Sequence, residues 1–248
     1  MNRLPASTGL LWLKQGFSLF RKQPGLLSML LFANFSFTFL LMRVPLLGQI
    51  LPVVLLPAFN MAIFQACRDL DAGERITPAV LLTGFRKGKA GPLARLGLVY
   101  FGLAMLLSVA VTPWIDISAI QAAAEVGQKG GQPTLPQATT LAVLALMVLL
   151  MIMNIILSFA PALTHWKSMP IFKSIFYSVF AILGSLAPML VMLGLWFGLC
   201  MFAMSTMMAL FGGSKFMLIV IMWIGLISAS ILQCSLYAAY RHLLPDTK

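Results

Sequence analysis

The chain reads as an all-α polytopic transmembrane helical bundle, and three features predict it. Six apolar runs reach span length, the basic residues gather on one side of those runs, and short basic amphipathic segments precede them. Of its 248 residues, 60% are hydrophobic and only 9% charged. A span needs about 20 apolar residues. The runs Leu26 to Met42, Gln49 to Ala66, Leu93 to Pro113, Thr139 to Leu163, Leu186 to Phe211 and Phe216 to Ala238 meet that requirement. With both termini in the cytoplasm, fourteen of the seventeen Lys and Arg residues fall inside, and Arg43, Lys129 and Lys215 fall outside. That imbalance orients the chain with both ends inward.

Taken in order, Gly9 to Lys22 repeats Leu10, Leu13, Phe17 and Phe20 at helical spacing, with Lys14, Ser18 and Arg21 on another face. This predicts an interfacial amphipathic helix. Gln23, Pro24 and Gly25 break it and turn the chain into the first span. A second segment follows the same plan, with Thr77 as cap, Pro78 at the first helical position, Leu81, Leu82 and Phe85 as the apolar stripe, and Arg86, Lys87 and Lys89 as its charges. Gly91 and Pro92 then open the third span. The third segment, Ser168 to Leu183, carries Phe172, Ile175, Phe176, Val179 and Phe180 against Lys173, Ser174, Tyr177 and Ser178. Phe17 to Phe20 aligns with Tyr177 to Phe180, and Phe20, Arg21, Lys22 recurs as Phe85, Arg86, Lys87. The expectation is one integral membrane domain built from three parallel hairpin repeats, approximately residues 9–66, 77–163 and 168–238, each led by an interfacial helix. In the outer loop from Trp114 to Ala138, Asp116 or Ser118 can cap a short helix running to Val126.

The net charge of +11 does not point to nucleic acid, because the cations flank apolar runs. Their partners are anionic inner-leaflet head groups, at about 1 kcal/mol per cation near the surface. Lys14, Arg21, Lys22, Arg86, Lys87, Lys89 and Lys173 are the candidate contacts. Cys67, Cys200 and Cys234 form no disulfide framework. No short signal-type apolar region precedes Leu26, so the first span is expected to be retained. The outer loop is too short for a soluble catalytic domain.

The segment Trp12 to Pro24, the Pro45 to Gly48 turn, the inner loop Asp69 to Arg86 and the segment Phe159 to Leu163 resemble an uncharacterised proteobacterial family of six-span inner-membrane proteins. More distantly, the chain is similar to the membrane domains found beside glycerophosphodiester phosphodiesterases. The resemblance implies a multi-pass fold in a bacterial inner membrane. Its motifs are apolar and Gly/Pro-rich, so it carries over no functional residue.

A charge at mid-membrane is costly and marks function, and none of the spans carries one. Polar uncharged residues do enter the spans, and Asn34, Asn60, Asn154 and Gln233 are the candidates for lining a polar cavity. The alternative for such residues is interhelical hydrogen bonding. Gly194 with Gly198, and Gly225 with Ala229, have the spacing of close helix contacts, within the chain or in a homo-oligomer. Pro52, Pro57, Pro161 and Pro188 can free backbone carbonyls for an ion or kink helices for packing. Cys200, Met204, Met207 and Met208 share a helix face but read as packing rather than a copper site. Asp69, Asp71 and Glu74 lie between Arg68 and Arg75 and read as a locally paired, solvated loop. No catalytic motif, cofactor site or metal site is expected. The leading expectation is a non-enzymatic scaffold, assembly factor or envelope partner engaging another membrane protein. Its rival is a passive or sodium-coupled carrier of a small molecule or lipid. A solid apolar interior favours the first, and a cavity lined by the four amides favours the second.

Overall fold

The computed structural model describes residues 4–45, 47–85, 90–128, 134–212 and 217–245. Helices α1 (Thr8–Lys22), α2 (Pro24–Leu41) and α3 (Leu47–Asp71) come first, followed by a 3-10 helix at Pro78–Phe85. Next are α4 (Ala90–Val111), a 3-10 turn at Thr112–Trp114, α5 (Ile117–Gln128), α6 (Gln137–Ile156) and α7 (Ala160–Trp166). Helices α8 (Ile171–Gly184), α9 (Leu186–Phe211) and α10 (Met217–Leu243) complete the chain, and no strand occurs among the described residues. Among the described residues six segments are long and apolar enough to cross a membrane: α2, α3, α4, α6 running on into α7, α9 and α10.

Local signals explain several boundaries. Pro24 begins α2, where its missing N–H costs nothing. Asp116 caps α5, its Oδ1 accepting from the Ala119 N–H at 3.1 Å and from Ser118 Oγ at 2.6 Å. The fourth span is not continuous. Pro161 has no N–H to offer Leu157, the Ala160 N–H turns to the Leu157 carbonyl instead, and the helix breaks over residues 157–159. Other helices take up the freed groups. Tyr100 Oη donates to Leu157 O at 2.5 Å, while Ser178 Oγ donates to Ile156 O at 2.7 Å and accepts from the Phe159 N–H at 3.3 Å. A broken span survives in an apolar solvent only with such partners.

The three leading segments differ from one another more than the sequence suggests. The second is a 3-10 helix rather than an α-helix, with Val80, Thr83 and Gly84 buried against α3. There a Gly84 Cβ would stand 2.8 Å from Ala58 Cβ, so close backbone approach sets its geometry. Its expected charges Arg86, Lys87 and Lys89 lie outside the described residues. In α8 the serines of the polar face turn into the bundle while the aromatic stripe turns outward. Ser174 and Ser178 are fully buried, whereas Phe172, Phe176 and Phe180 are exposed. Small serines allow close helix contact in lipid, and the aromatic edge can face the acyl chains.

The segments also dock in a regular way. The first, α1, lies chiefly on α9 and α10; the 3-10 helix lies on α3; and α8 lies on α7, α6 and α4. Each therefore rests on the hairpin that precedes it, and α1 closes the ring on the last. The contact of α1 is deeper than an interfacial helix requires. Trp12 is fully buried, its Nε1–H donates to His242 Nδ1 at 3.0 Å, and Cβ atoms at Gly9 and Gly16 would lie 2.1 Å from Pro188 O and 2.2 Å from Ser235 Oγ.

Packing is concentrated at the end of the bundle that carries α1, α8 and the α10 C-terminus, called here the basic end. Phe64, Phe159, Trp166, Tyr237 and Tyr240 interlock there with ring centroids 5.4 to 6.4 Å apart. Toward the far end, residues such as Phe39, Leu40, Leu106, Val109, Leu144, Phe202 and Leu210 are exposed. In a bilayer these side chains meet lipid at no cost, so the far halves of the helices need no continuous protein core.

Candidate functional site

Above the aromatic layer lies a cavity of about 430 Å³ among α2, α3, α4, α6 and α10. All four amides singled out from the sequence line it: Asn34 on α2, Asn60 on α3, Asn154 on α6 and Gln233 on α10. Each sits near the middle of its span. The remaining wall is mostly apolar, including Phe35, Phe59 and Tyr100. Thr38 and Pro52 extend the lining to within about two turns of the far end of the bundle, while Ile63 adjoins the packed basic end.

The amides are unequally partnered. Gln233 Nε2 donates to Asn60 Oδ1 at 3.4 Å, which ties α10 to α3. Asn34 and Asn154 have no side-chain hydrogen bond to any described residue. An amide left unpaired away from water costs on the order of 1–3 kcal/mol. Two such groups facing one cavity are suited to meet donors and acceptors on a molecule that enters it. No Asp, Glu, Lys, Arg or His lines the cavity, so it contains no side chain that gains or loses a proton near neutral pH.

The other sequence candidates fall elsewhere. Gly194, Gly198 and Gly225 meet nothing within 4 Å of a built Cβ, so their spacing does not mediate close packing within this chain. Ala229 lines the amide cavity. Glycines that do permit close approach between elements include Gly9, Gly16, Gly84 and Gly97, and of these only Gly84 has another glycine, Gly88, four residues away. The carbonyls freed at Pro161 are bound by Tyr100 and Ser178 and offer no open ion site. Among the described residues no group of three or more His, Cys, Asp or Glu side chains could hold a metal.

The acidic residues are organised differently from the expected loop. Helix α3 continues through Asp71, which pairs with Arg241 on α10 and accepts from Tyr237 Oη at 3.5 Å. Asp69 accepts from Gln65 Nε2 at 2.7 Å, and Gln65 Oε1 accepts from Trp166 Nε1 at 2.8 Å. Arg68 stacks over Trp166 at 4.7 Å. These carboxylates therefore help fasten the basic ends of α3, α7 and α10, a long-range arrangement that the adjacent arginines conceal. Sequence spacing also missed Cys67 and Cys234, whose Sγ atoms lie 3.0 Å apart between α3 and α10.

Among the candidate lipid contacts, Lys22 is engaged internally, donating to Leu70 O at 2.7 Å. Lys173 lies 6.0 Å from the Tyr177 ring and Arg21 6.0 Å from the Phe17 ring. Lys14 lines a separate apolar cleft beside α9 and α10.

No protein-family model matches the chain, and no solved structure matches it. It is 31% identical over 259 aligned positions, covering 95% of the chain and 90% of the relative, to a protein of Burkholderia thailandensis described as a probable inner membrane protein. The chain belongs to the family of this inner membrane protein, as a multi-pass helical bundle.

Proposed function

We propose that the protein is a non-enzymatic carrier or binding protein for a small uncharged amphiphile, lodged in the cavity among α2, α3, α4, α6 and α10. The observation that carries this reading is the meeting of four amides from four spans at one cavity, with Asn34 and Asn154 unpartnered. A lipid-facing bundle has no need to direct such groups inward, because polar side chains in a membrane are normally matched with one another. The apolar and aromatic walls suit a hydrocarbon body, and the amides suit a hydroxyl, ester or amide head. Passive handling is favoured over ion coupling. Among the described residues no Asp, Glu, Lys, Arg or His lines the cavity, and the backbone carbonyls released at Pro161 already have partners. A scaffold would need no cavity here. The distant likeness to membrane domains beside glycerophosphodiester phosphodiesterases supports a lipid-like ligand by association.

The three-repeat organisation and an orientation with both termini in the cytoplasm belong to the same proposal. The cyclic docking of the leading segments supports the first, and the placement of basic residues supports the second.

The test is extraction of the protein in mild detergent and mass spectrometry of the small molecules it retains. The wild type should keep a neutral amphiphile that the Asn34→Leu, Asn154→Leu double variant and the cavity-filling Ala104→Phe variant lose. Identical retained molecules in all three, with each protein folded, would refute the reading.

A further inference from the structure

We propose a second, independent site: a cleft between α9 and α10 that holds one anionic glycerophospholipid from the leaflet at the basic end. It shares no lining residue with the amide cavity, so either proposal can fail without the other.

The cleft arises from the seating of α1. Gly9 and Gly16 bring that helix onto the backbone of α9 near Pro188 and of α10 at Ser235, where any side chain would collide. Helix α1 thus fills the base of the groove between the two spans, and beyond it the groove stays open with a volume of about 590 Å³. Leu13 and Phe17 form its floor, while Leu199 and Ala203 on α9 and Ile224 and Ile227 on α10 form its walls. The Trp196 Nε1–H is directed away from any ligand, donating to Ser228 O at 2.8 Å. This surface is suited to a hydrocarbon chain and to little else.

Charge identifies the occupant. Lys14 is the one charged residue in the cleft lining, and it has no hydrogen bond or ion pair with a described residue. Arg21 lies two helical turns further along the same face of α1, its guanidinium 6.0 Å from the ring of Phe17. Lys14, Phe17 and Arg21 therefore form a row of cation, aromatic ring and cation at the mouth of an apolar groove. A lipid with one acyl chain in the groove places its phosphate between the two cations. The neighbouring Lys22 takes no part, since it donates to the Leu70 carbonyl. A zwitterionic lipid would satisfy the groove equally but would set its own cation against Lys14 and Arg21.

The experiment is native mass spectrometry of the delipidated full chain, titrated with phosphatidylglycerol or with phosphatidylcholine of the same acyl composition. The wild type should bind one phosphatidylglycerol in preference to phosphatidylcholine by about 25-fold, from two cations at about fivefold each. Lys14→Gln with Arg21→Gln should bring that preference close to parity while phosphatidylcholine binding is unchanged. Ala203→Trp, which fills the groove and leaves both charges in place, should weaken the first binding event of both lipids alike. Lys173→Gln, on α8, should behave as wild type. The proposal is overturned if the Lys14/Arg21 variant keeps the anionic preference, if Ala203→Trp leaves lipid binding unchanged, or if Lys173→Gln removes the preference equally.

Discussion

Gly97→Ala compared with Gly194→Ala gives a direct measure of where this bundle is held together. Both glycines lie inside spans, and alanine has the higher helix propensity at each, by up to about 1 kcal/mol. Their surroundings differ sharply. A Cβ on Gly97 would lie 1.8 Å from Val54 O, 2.6 Å from its carbonyl carbon and 2.8 Å from its Cα, all atoms of the α3 backbone that no rotamer change can move aside. A Cβ on Gly194 meets nothing within 4 Å. At position 97 the two helices must separate by more than an ångström, and overpacking of this kind costs up to about 3 kcal/mol. Subtracting the propensity gain leaves a net loss of about 2 kcal/mol. If the shift also draws Tyr100, one turn further along α4, away from the Leu157 carbonyl, about 1 kcal/mol more is lost. Reversible unfolding in mixed micelles by titration with a denaturing detergent reads these differences. Gly97→Ala should be destabilised by 2–3 kcal/mol, and Gly194→Ala should match or slightly exceed the wild type. A neutral Gly97→Ala would refute the close α3–α4 packing. A destabilised Gly194→Ala in the monomer would show that the GxxxG face is packed after all.

Three further outcomes are expected. Oxidation of membranes with a permeant thiol oxidant should join Cys67 to Cys234, removing both from alkylation under denaturing conditions and leaving Cys200 reactive; if all three stay reactive, α3 and α10 do not meet as described. A membrane-impermeant thiol reagent on intact cells should label Lys129→Cys and spare Lys248→Cys, and the reverse pattern would overturn the proposed orientation. Asp116 is held below the usual carboxylate pKa, first by the Ser118 hydroxyl and then by the Ala119 N–H. Because its folded value is the lower one, its support for the α5 N-terminus is complete above the ordinary carboxylate value and is lost as pH falls through the depressed one. Amide exchange at Ala119 should accelerate in that acid window for the wild type, whereas Asp116→Asn should keep the cap and abolish the pH dependence. An unchanged acid response in Asp116→Asn would show that another group is responsible.

The sequence alone determined the number of spans, their approximate limits and the multi-pass class, and it narrowed the cap of α5 to Asp116 or Ser118. Each depends on contiguous residues: a run of apolar side chains has to reach the thickness of a bilayer, and Asp116 caps a helix that begins at the next residue. It also supplied the four amides, because a polar residue within an apolar run is conspicuous wherever its helix sits. Their meeting at one cavity was decided by the tertiary structure, since a span that is apolar on all sides does not reveal which face turns inward. For the same reason the spacing of Gly194 and Gly198 did not reveal which glycines approach a neighbouring helix within the chain, and the stripe of α8 did not disclose that Ser174 and Ser178 turn inward. In water the hydrophobic face of a helix marks the core. In lipid the outside is as apolar as the inside, and what selects a contact is small side chains, freed carbonyls and matched polar groups. The partners of Asp71, Cys67, Leu157 and Gly97 lie 170, 167, 57 and 43 residues away in sequence, so no local spacing could have disclosed them.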